Sequence, residues 1–524
     1  MSPTAWSSRN TLGWLSLGLY VVRDFVILFQ GARHRRTSGI RTWRHGGSGS
    51  RKIADRVTIG GIGLVLLRHG RVCKAQPGVH QKRVAIGGSA GYDPEHGKDP
   101  LSNGDICRRD AALMQMLGIN TIRVYNLDPN LNHDECASIF NAAGMYMLID
   151  VNSPLVGESL NSLEPWTSYY EAYVNRTFAI VENFKNYPNL LAFFSGNEVI
   201  DAVKTGAHAP PYIRAITRDL KNYIKKHADR QIPVGYSAAD VRDVLEDSWN
   251  YFQCAINGNE NDMSRADIFA LNSYSWCGDS SFRESSYDTL VALFKTTSVP
   301  VFYSEFGCNT PSPRIFTEIG SIYGPEMTGV FSGGVVYEFS QEENKYGLAQ
   351  INKDNTVDLL VDFRTLQNQY AKLDLKSVQS VKAAGKSVKP PTCSESLIKE
   401  DGFNNNFTLP VPPPGVQKLI DNGIGKKVNG KIISVSDWKV GHVVKDVDGT
   451  ALANLAVKPV ADGDFNTATP TESGTNASGS GSSSNSGTTD NASPRLSPLG
   501  SISGALLAVP AIVATSFAIG YTLV

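Results

Sequence analysis

From Leu101 to about Leu375 the sequence alternates short β-branched apolar runs with longer stretches of helical periodicity, and no other feature restricts the fold as tightly. The candidate strands are INTIRVYN (119–126), MYMLIDVN (145–152), NLLAFFSGNE (189–198), IPVGYS (232–237), DIFALNSY (267–274), VPVFYSE (299–305) and GGVVYEF (333–339). Helical patterns such as ICRRDAALMQMLG, DECASIFNAAG and PPYIRAITRDLKNYIKKHA lie between them. Seven strands with intervening helices over about 250 residues predict a parallel α/β domain, and one further strand closes a (β/α)8 barrel. An open doubly wound sheet is the alternative, although no Gly-rich phosphate loop opens any of the helices. The eighth strand has to come from before residue 101.

That upstream segment is a different kind of sequence. The whole chain of 524 residues balances 50 basic against 50 acidic side chains, which argues against a nucleic-acid binder. Residues 1–83, however, carry 15 Lys and Arg against Asp24 and Asp55 alone, a net of +13, so the remainder stands at −13. The hydrophobic fraction of 41% excludes a polytopic membrane protein and a wholly disordered chain.

The other end has its own signature. Residues 471–493 form a Ser/Gly/Asn/Thr tract too polar to pack, and residues 501–524 are uncharged and apolar. Small residues, a polar spacer and a terminal apolar run make up the glycolipid-anchor signal, with Asn491 as the candidate attachment site. A retained membrane span is the alternative. An anchor implies the secretory pathway, yet the apolar stretch Leu12–Phe29 is interrupted by Arg23 and Asp24 and makes a poor signal peptide. The cysteines agree with the C-terminal reading. Six of the seven (Cys107, Cys136, Cys254, Cys277, Cys308 and Cys393) are dispersed through the body without a C-x-x-C pair, which fits three disulfides in an oxidising compartment and leaves Cys73 in the basic head. The sequons at Asn175 and Asn406 are compatible with secretion.

Two carboxylates end apolar strands, Glu198 in FFSGNEV and Glu305 in VFYSEFG. In a parallel barrel all strand C-termini face one rim, so both project into one cleft. Either alone reads equally well as a strand-end glutamate paired with a neighbouring Arg. Together they match the apparatus of glycoside hydrolysis, in which one carboxyl protonates the leaving oxygen and the other attacks the anomeric carbon or activates water. Asn197 supplies an amide for the sugar's 2-hydroxyl, and Tyr125, Trp166, Tyr236, Tyr274, Trp276, Phe306 and Tyr337 crowd the same rim, although each alone suits a core or wall position.

The segments LGINTIRVYNLDPNLNHDEC, FFSGNEV, IPVGYSAAD, NSYSWCG, PVFYSEFGCN, PRIFTEI and FSGGVVYEFSQEENKYGL resemble the fungal glycolipid-anchored β-1,3-glucanosyltransferases of glycoside hydrolase family 72, from Asp99 to Ile351 and on towards Cys393. The resemblance implies a (β/α)8 barrel and a retaining double displacement, with Glu198 as general acid/base and Glu305 as nucleophile. It places Tyr125, Asn161, Asn197, Asp240, Tyr274 and Tyr337 in glucan binding and pairs Cys107 with Cys136, Cys277 with Cys308 and Cys254 with Cys393. No cofactor and no metal are implied. The partners are donor and acceptor β-1,3-glucan chains and, through the anchor, the plasma membrane, for a monomer at the outer cell surface and in the cell wall. An endo-β-1,3-glucanase and a catalytically impaired glucan-binding wall protein are the alternatives.

Three departures stand out. The family's opening strand, of the type FFxxNGxxFFIRGVAYQ, has no counterpart; residues 57–67 are the candidate substitute, and a misjoined gene model over residues 1–90 is the preferred explanation. The family's acceptor-site Arg falls on Leu245, with Arg242 three residues earlier. The cysteine-rich glucan-binding module is absent, as in the shorter members. The expected organisation is an atypical basic segment (1–90), a catalytic barrel (91–393), a linker with a small extension (394–462), a disordered stalk (463–493) and an anchor signal (494–524).

Overall fold

The computed structural model of the protein describes residues 83–86, 99–380, 388–461 and 464–469. Eight parallel strands close a barrel in sequence order: β1 (Arg83–Ile86), β2 (Thr121–Val124), β3 (Tyr146–Asp150), β4 (Leu190–Asn197), β5 (Val234–Ala239), β6 (Ile268–Asn272), β7 (Val301–Phe306) and β8 (Phe331–Val336). Seven of them overlap the strands expected from the apolar runs. The eighth corrects an expectation, because the strand that pairs in parallel with both β2 and β8 is Arg83–Ile86. It lies downstream of 57–67 and upstream of residue 91, where the sequence reading begins the catalytic domain. RVAI is too short, and too poorly bounded by turn residues, to stand out by periodicity. Residues 57–67, Cys73, the stalk apart from residues 464–469, and the anchor signal with Asn491 lie outside the described residues; residues 464–469, expected at the start of a disordered stalk, lie instead against the barrel, where the Asn466 side chain donates to Ile119 O and Ala143 O.

Alternation along the strands fills the barrel. Leu148, Ala192, Phe194, Ile268, Ala270, Phe302 and Val335 form an apolar plug in the lumen. At the next inward positions towards the strand C-termini the side chains turn polar: Asp150, Asn272 and Ser304 are all buried. A larger apolar core separates the strands from an outer layer of helices. These include α1 (Gly104–Met116), α2 (Asp134–Ala142), α3 (Glu171–Phe184), α4 (Ala209–His227), α5 (Arg242–Gln253) and α6 (Tyr287–Phe294). α1 starts where the Asn103 side chain accepts from the amides of Asp105 and Ile106. Among the described residues no helix is long and apolar enough to cross a membrane.

Beyond Cys393 the chain runs along the outside of the barrel. The Asp247 carboxylate accepts from the amides of Lys399 and Glu400, Tyr251 donates to Asn406 O, and Arg218 donates to Pro410 O. The proline run read as a linker is therefore held against α4. Further on, the Gly430 amide donates to Asn183 O, the Val460 amide to Ala142 O, and the Asn466 side chain to the carbonyls of Ile119 and Ala143. The small extension adds to a sheet edge: β11 (Val444–Lys445) joins β10 (Val357–Leu359), itself paired with β9 (Ala349–Ile351).

The three disulfides are Cys107–Cys136, Cys254–Cys393 and Cys277–Cys308, the pairs implied by the resemblance. Cys254–Cys393 spans 139 residues and pins the start of the outer strap to the end of α5. Replacing both cysteines by Ser is expected to destabilise the fold by about 4–5 kcal/mol, the chain-entropy contribution of so long a loop. Urea unfolding measures it, and a loss under about 1 kcal/mol would count against the strap as a stabilising element.

Candidate active site

Arg123 stands at the centre of the rim. It is inward-facing on β2, has no solvent exposure, and spends its guanidinium on partners from four other strands. Nε and Nη2 donate to the two oxygens of Asp150 at 2.9 and 3.0 Å, Nη2 also to Asn197 Oδ1 at 2.8 Å, and Nη1 to Glu305 Oε1 at 3.1 Å and to Ser304 O and Asn272 Oδ1, each at 3.4 Å. Burial disfavours its charge, but Asp150 first, then Tyr125 and Glu305, more than offset that and hold it protonated.

Glu305 is itself buried, with 8% of its surface exposed, beneath two tyrosines. Tyr125 donates to Oε1 and Tyr274 to Oε2, each at 2.7 Å. Burial pushes the Glu305 carboxyl above the usual carboxylate range; Arg123 opposes this, the neighbouring Glu198 adds to it, and the tyrosine hydrogen bonds pull it part of the way back. Both tyrosine hydroxyls are pushed well up, by burial first and also by the Glu305 charge, so they remain donors.

Glu198, by contrast, is exposed to the cleft. Its backbone lies in the left-handed region at φ 49°, a conformation that costs a non-glycine residue about 1–3 kcal/mol and is found at functional sites. Pairing between β4 and β5 is irregular just before it, between Phe194 and Asn197, and β7 is irregular on both sides around Glu305. Such irregularities re-aim side chains at a barrel rim. Asn272 then fixes Glu198: its amide nitrogen donates to Glu198 Oε1 at 2.8 Å and to Asn197 Oδ1 at 3.0 Å, while its oxygen accepts from Ser304 Oγ at 2.7 Å and Ser237 Oγ at 3.1 Å. With Asn197 Oδ1 accepting from Arg123, Ser237 and Asn272, the Asn197 NH2 group is the end left to face a ligand.

One wall is aromatic. Tyr274, Tyr337 and Tyr346 pack edge-on at ring separations of 5.4–6.2 Å. Arg314 holds that wall from behind, donating to Tyr337 O at 2.8 Å and to Tyr346 O while pairing with Asp362. Cys277–Cys308 links the loops that follow β6 and β7, next to Tyr274 and Glu305.

Thus Tyr125, Asn197, Glu198, Tyr274 and Glu305 converge in one hydrogen-bonded cluster, and Tyr337 joins it through Tyr274. Asp240 sits one contact away: it accepts from Ser273 Oγ at 2.6 Å and pairs with Arg242. Leu245 is buried in the core, whereas Arg242 is on the rim and also donates to Thr289. Asn161 accepts from the amides of Leu163 and Glu164 and so shapes its own loop, with no contact to either glutamate. Tyr236 and Phe306 are core residues, Trp276 is nearly buried with its indole nitrogen on Thr317, and Trp166 is half exposed against His208. Arg123, Asp150, Asn272 and Tyr346 were missed. Arg123 and Asn272 are polar residues at inward positions of apolar strands, and that is the signal that could have found them.

A closed (β/α)8 barrel with an exposed and a buried glutamate linked through one amide–guanidinium network defines the class: an enzyme barrel acting on sugars. The family profile of the glucanosyltransferases of glycoside hydrolase family 72 matches residues 78–374, and the chain belongs to that family. It is 51% identical over 381 residues to the 1,3-beta-glucanosyltransferase gel2 of Aspergillus fumigatus, covering 73% of this chain and 79% of that one. It is 44% identical over 362 residues to the 1,3-beta-glucanosyltransferase GAS4 of Saccharomyces cerevisiae, covering 69% and 75%. Its fold is similar to that of Saccharomyces cerevisiae Gas2p in complex with laminaritriose and laminaritetraose, with a TM-score of 0.55 and 34% identity over 65% of this chain and 74% of that one.

Proposed function

We propose that the protein is a 1,3-β-glucanosyltransferase that cleaves a β-1,3-glucan internally and transfers the new reducing end to the non-reducing 3-hydroxyl of another glucan. The observation that carries this reading is the environment of the two glutamates, together with membership of the family. Glu305, buried and held by Arg123, Tyr125 and Tyr274, is the nucleophile: the fixed donors aim its oxygens and help to keep it ionised despite burial. Glu198, open to the cleft and oriented by Asn272, is the general acid/base. Protonation by Glu198 releases the reducing-end fragment as Glu305 bonds to the anomeric carbon. Glu198 then takes the proton of the acceptor hydroxyl, whose oxygen displaces Glu305 with net retention. The Asn197 amide suits the 2-hydroxyl, and Tyr274 and Tyr337 offer ring surface to the sugars. Asp240 and Asn161 belong to the same binding assignment, Asp240 by its place beside Ser273 and Tyr274.

Incubation with a reduced laminari-oligosaccharide tests the reading. Products longer than the donor are expected, and exclusively shorter ones would identify a hydrolase. Within this mechanism Tyr274→Phe removes one donor from Glu305. It is expected to lower kcat/KM by about 10–100-fold, the value of a hydrogen bond to a charged group, and to move the acidic limb of the pH profile to higher pH. An unchanged limb would show that Tyr274 does not bear on the nucleophile's ionisation.

The proposed setting is the outer face of the cell membrane and the cell wall, reached by secretion and held by a glycolipid at Asn491, with the enzyme acting as a monomer. The three disulfides support the oxidising compartment.

A further inference from the structure

We propose that Glu338 is a positioning residue, which must be uncharged for the wall of Tyr337, Tyr346 and Tyr274 to hold a glucan; this rests on the glucan-binding reading above. Glu338 directly follows Tyr337 at the end of β8 and is fully buried. Its backbone joins the wall, since its amide donates to Tyr346 O at 3.0 Å. Neither of its carboxyl oxygens has a partner at hydrogen-bond geometry. The Tyr337 hydroxyl and the Asn344 amide, bonded to each other at 3.2 Å, are its polar neighbours.

The charged and titratable groups around it cannot accommodate an anion. Glu305 reaches it from β7, and Glu342 from the loop after β8; both repel a carboxylate. Tyr337 and Tyr346 are themselves pushed up, and remain neutral. Arg314, in the loop after β7, is the cation near it, but its nitrogens are spent on Asp362 and on the carbonyls of Gly307, Tyr337, Tyr346 and Gly347. Burial, then Glu342 and also Glu305, push the Glu338 carboxyl up to about 8 against the opposing pull of the Tyr337 hydroxyl and the Asn344 amide, so the protonated form predominates at neutral pH. An isolated buried carboxylate is strongly disfavoured, and ionisation has to be met by water entry and displacement of the segment that carries the tyrosines. No step of the double displacement uses Glu338, so its effect falls on binding.

Glu198→Gln, which blocks turnover, is the background for the test. Calorimetric titration with a laminari-oligosaccharide is expected to give a constant Kd from pH 6 to 7 and a Kd about tenfold weaker at pH 9, as the neutral fraction falls. In the Glu198→Gln/Glu338→Gln protein the Kd should not change over that range. Adding Glu342→Gln instead removes a repelling charge and should move the onset of weakening to lower pH. A Kd independent of pH in the single variant, or the same weakening with Glu338→Gln, overturns the proposal. If Glu338→Gln does not fold, the Glu342→Gln protein decides, and an unmoved onset overturns it. Failure to bind at any pH overturns the glucan reading itself and this inference with it.

Discussion

Replacing Glu305 by Gln is expected to reduce glucan transfer by at least about 10⁴-fold, because an amide cannot form the covalent intermediate on which both half-reactions depend. The fold should survive. The Gln oxygen can still accept from Arg123 and Tyr125, and the Tyr274 hydroxyl can rotate to accept from the new NH2 group. Glu198→Gln separates the two roles. Its loss should shrink by orders of magnitude on a laminari-oligosaccharide carrying a nitrophenolate leaving group, which departs without protonation, whereas the loss in Glu305→Gln should not. Initial rates on both donors, with thermal melts of each variant, provide the measurement. Rescue of Glu305→Gln by the activated donor would reverse the assignment, and transfer within tenfold of wild type would remove Glu305 from the chemistry.

The barrel was legible because its strands are apolar, β-branched and regularly spaced, and because strand C-termini in a parallel barrel share a rim. That rule alone brought Glu198 and Glu305 together across 107 positions of sequence. The first strand was not legible, since RVAI lies in an otherwise basic segment and is recognised only by its hydrogen bonds to β2 and β8. Tyr125, Asn197 and Tyr274 could be anticipated from motif and rim position. Their division of labour could not, because it depends on strand irregularities and on the left-handed backbone at Glu198, and neither leaves a compositional trace. Tyr236, Phe306 and Trp276 take the core or wall positions that each alone suits, because an aromatic near a strand end turns inward or outward according to a register that the sequence does not state.

Arg123 is where fold and chemistry become inseparable, and Arg123→Met should show it in two observables. Removing the guanidinium leaves Asp150 and Glu305 buried without their cation, and breaking such a pair destabilises by about 3–5 kcal/mol even when the replacement fills the space. The charge of Arg123 also holds the Glu305 carboxyl down against burial, so its loss raises that carboxyl further. The sign for activity follows: the nucleophile must be ionised, the rate climbs as pH rises through its titration, and the acidic limb of kcat/KM moves to higher pH. The sign for stability agrees. A carboxyl raised above its unfolded value favours the fold most below the unfolded value and progressively loses that contribution as pH rises through the folded one. Arg123→Met should therefore be closest to wild type in stability at acid pH and furthest from it near neutrality. Urea unfolding between pH 4 and 7, beside the pH profile of transfer, tests both. Arg123→Lys keeps the charge without the fork and should recover the limb more fully than the rate, because a single ammonium cannot hold Asp150, Asn197 and Glu305 in one plane. A stable Arg123→Met protein with an unshifted limb would mean that the tyrosines alone set the nucleophile.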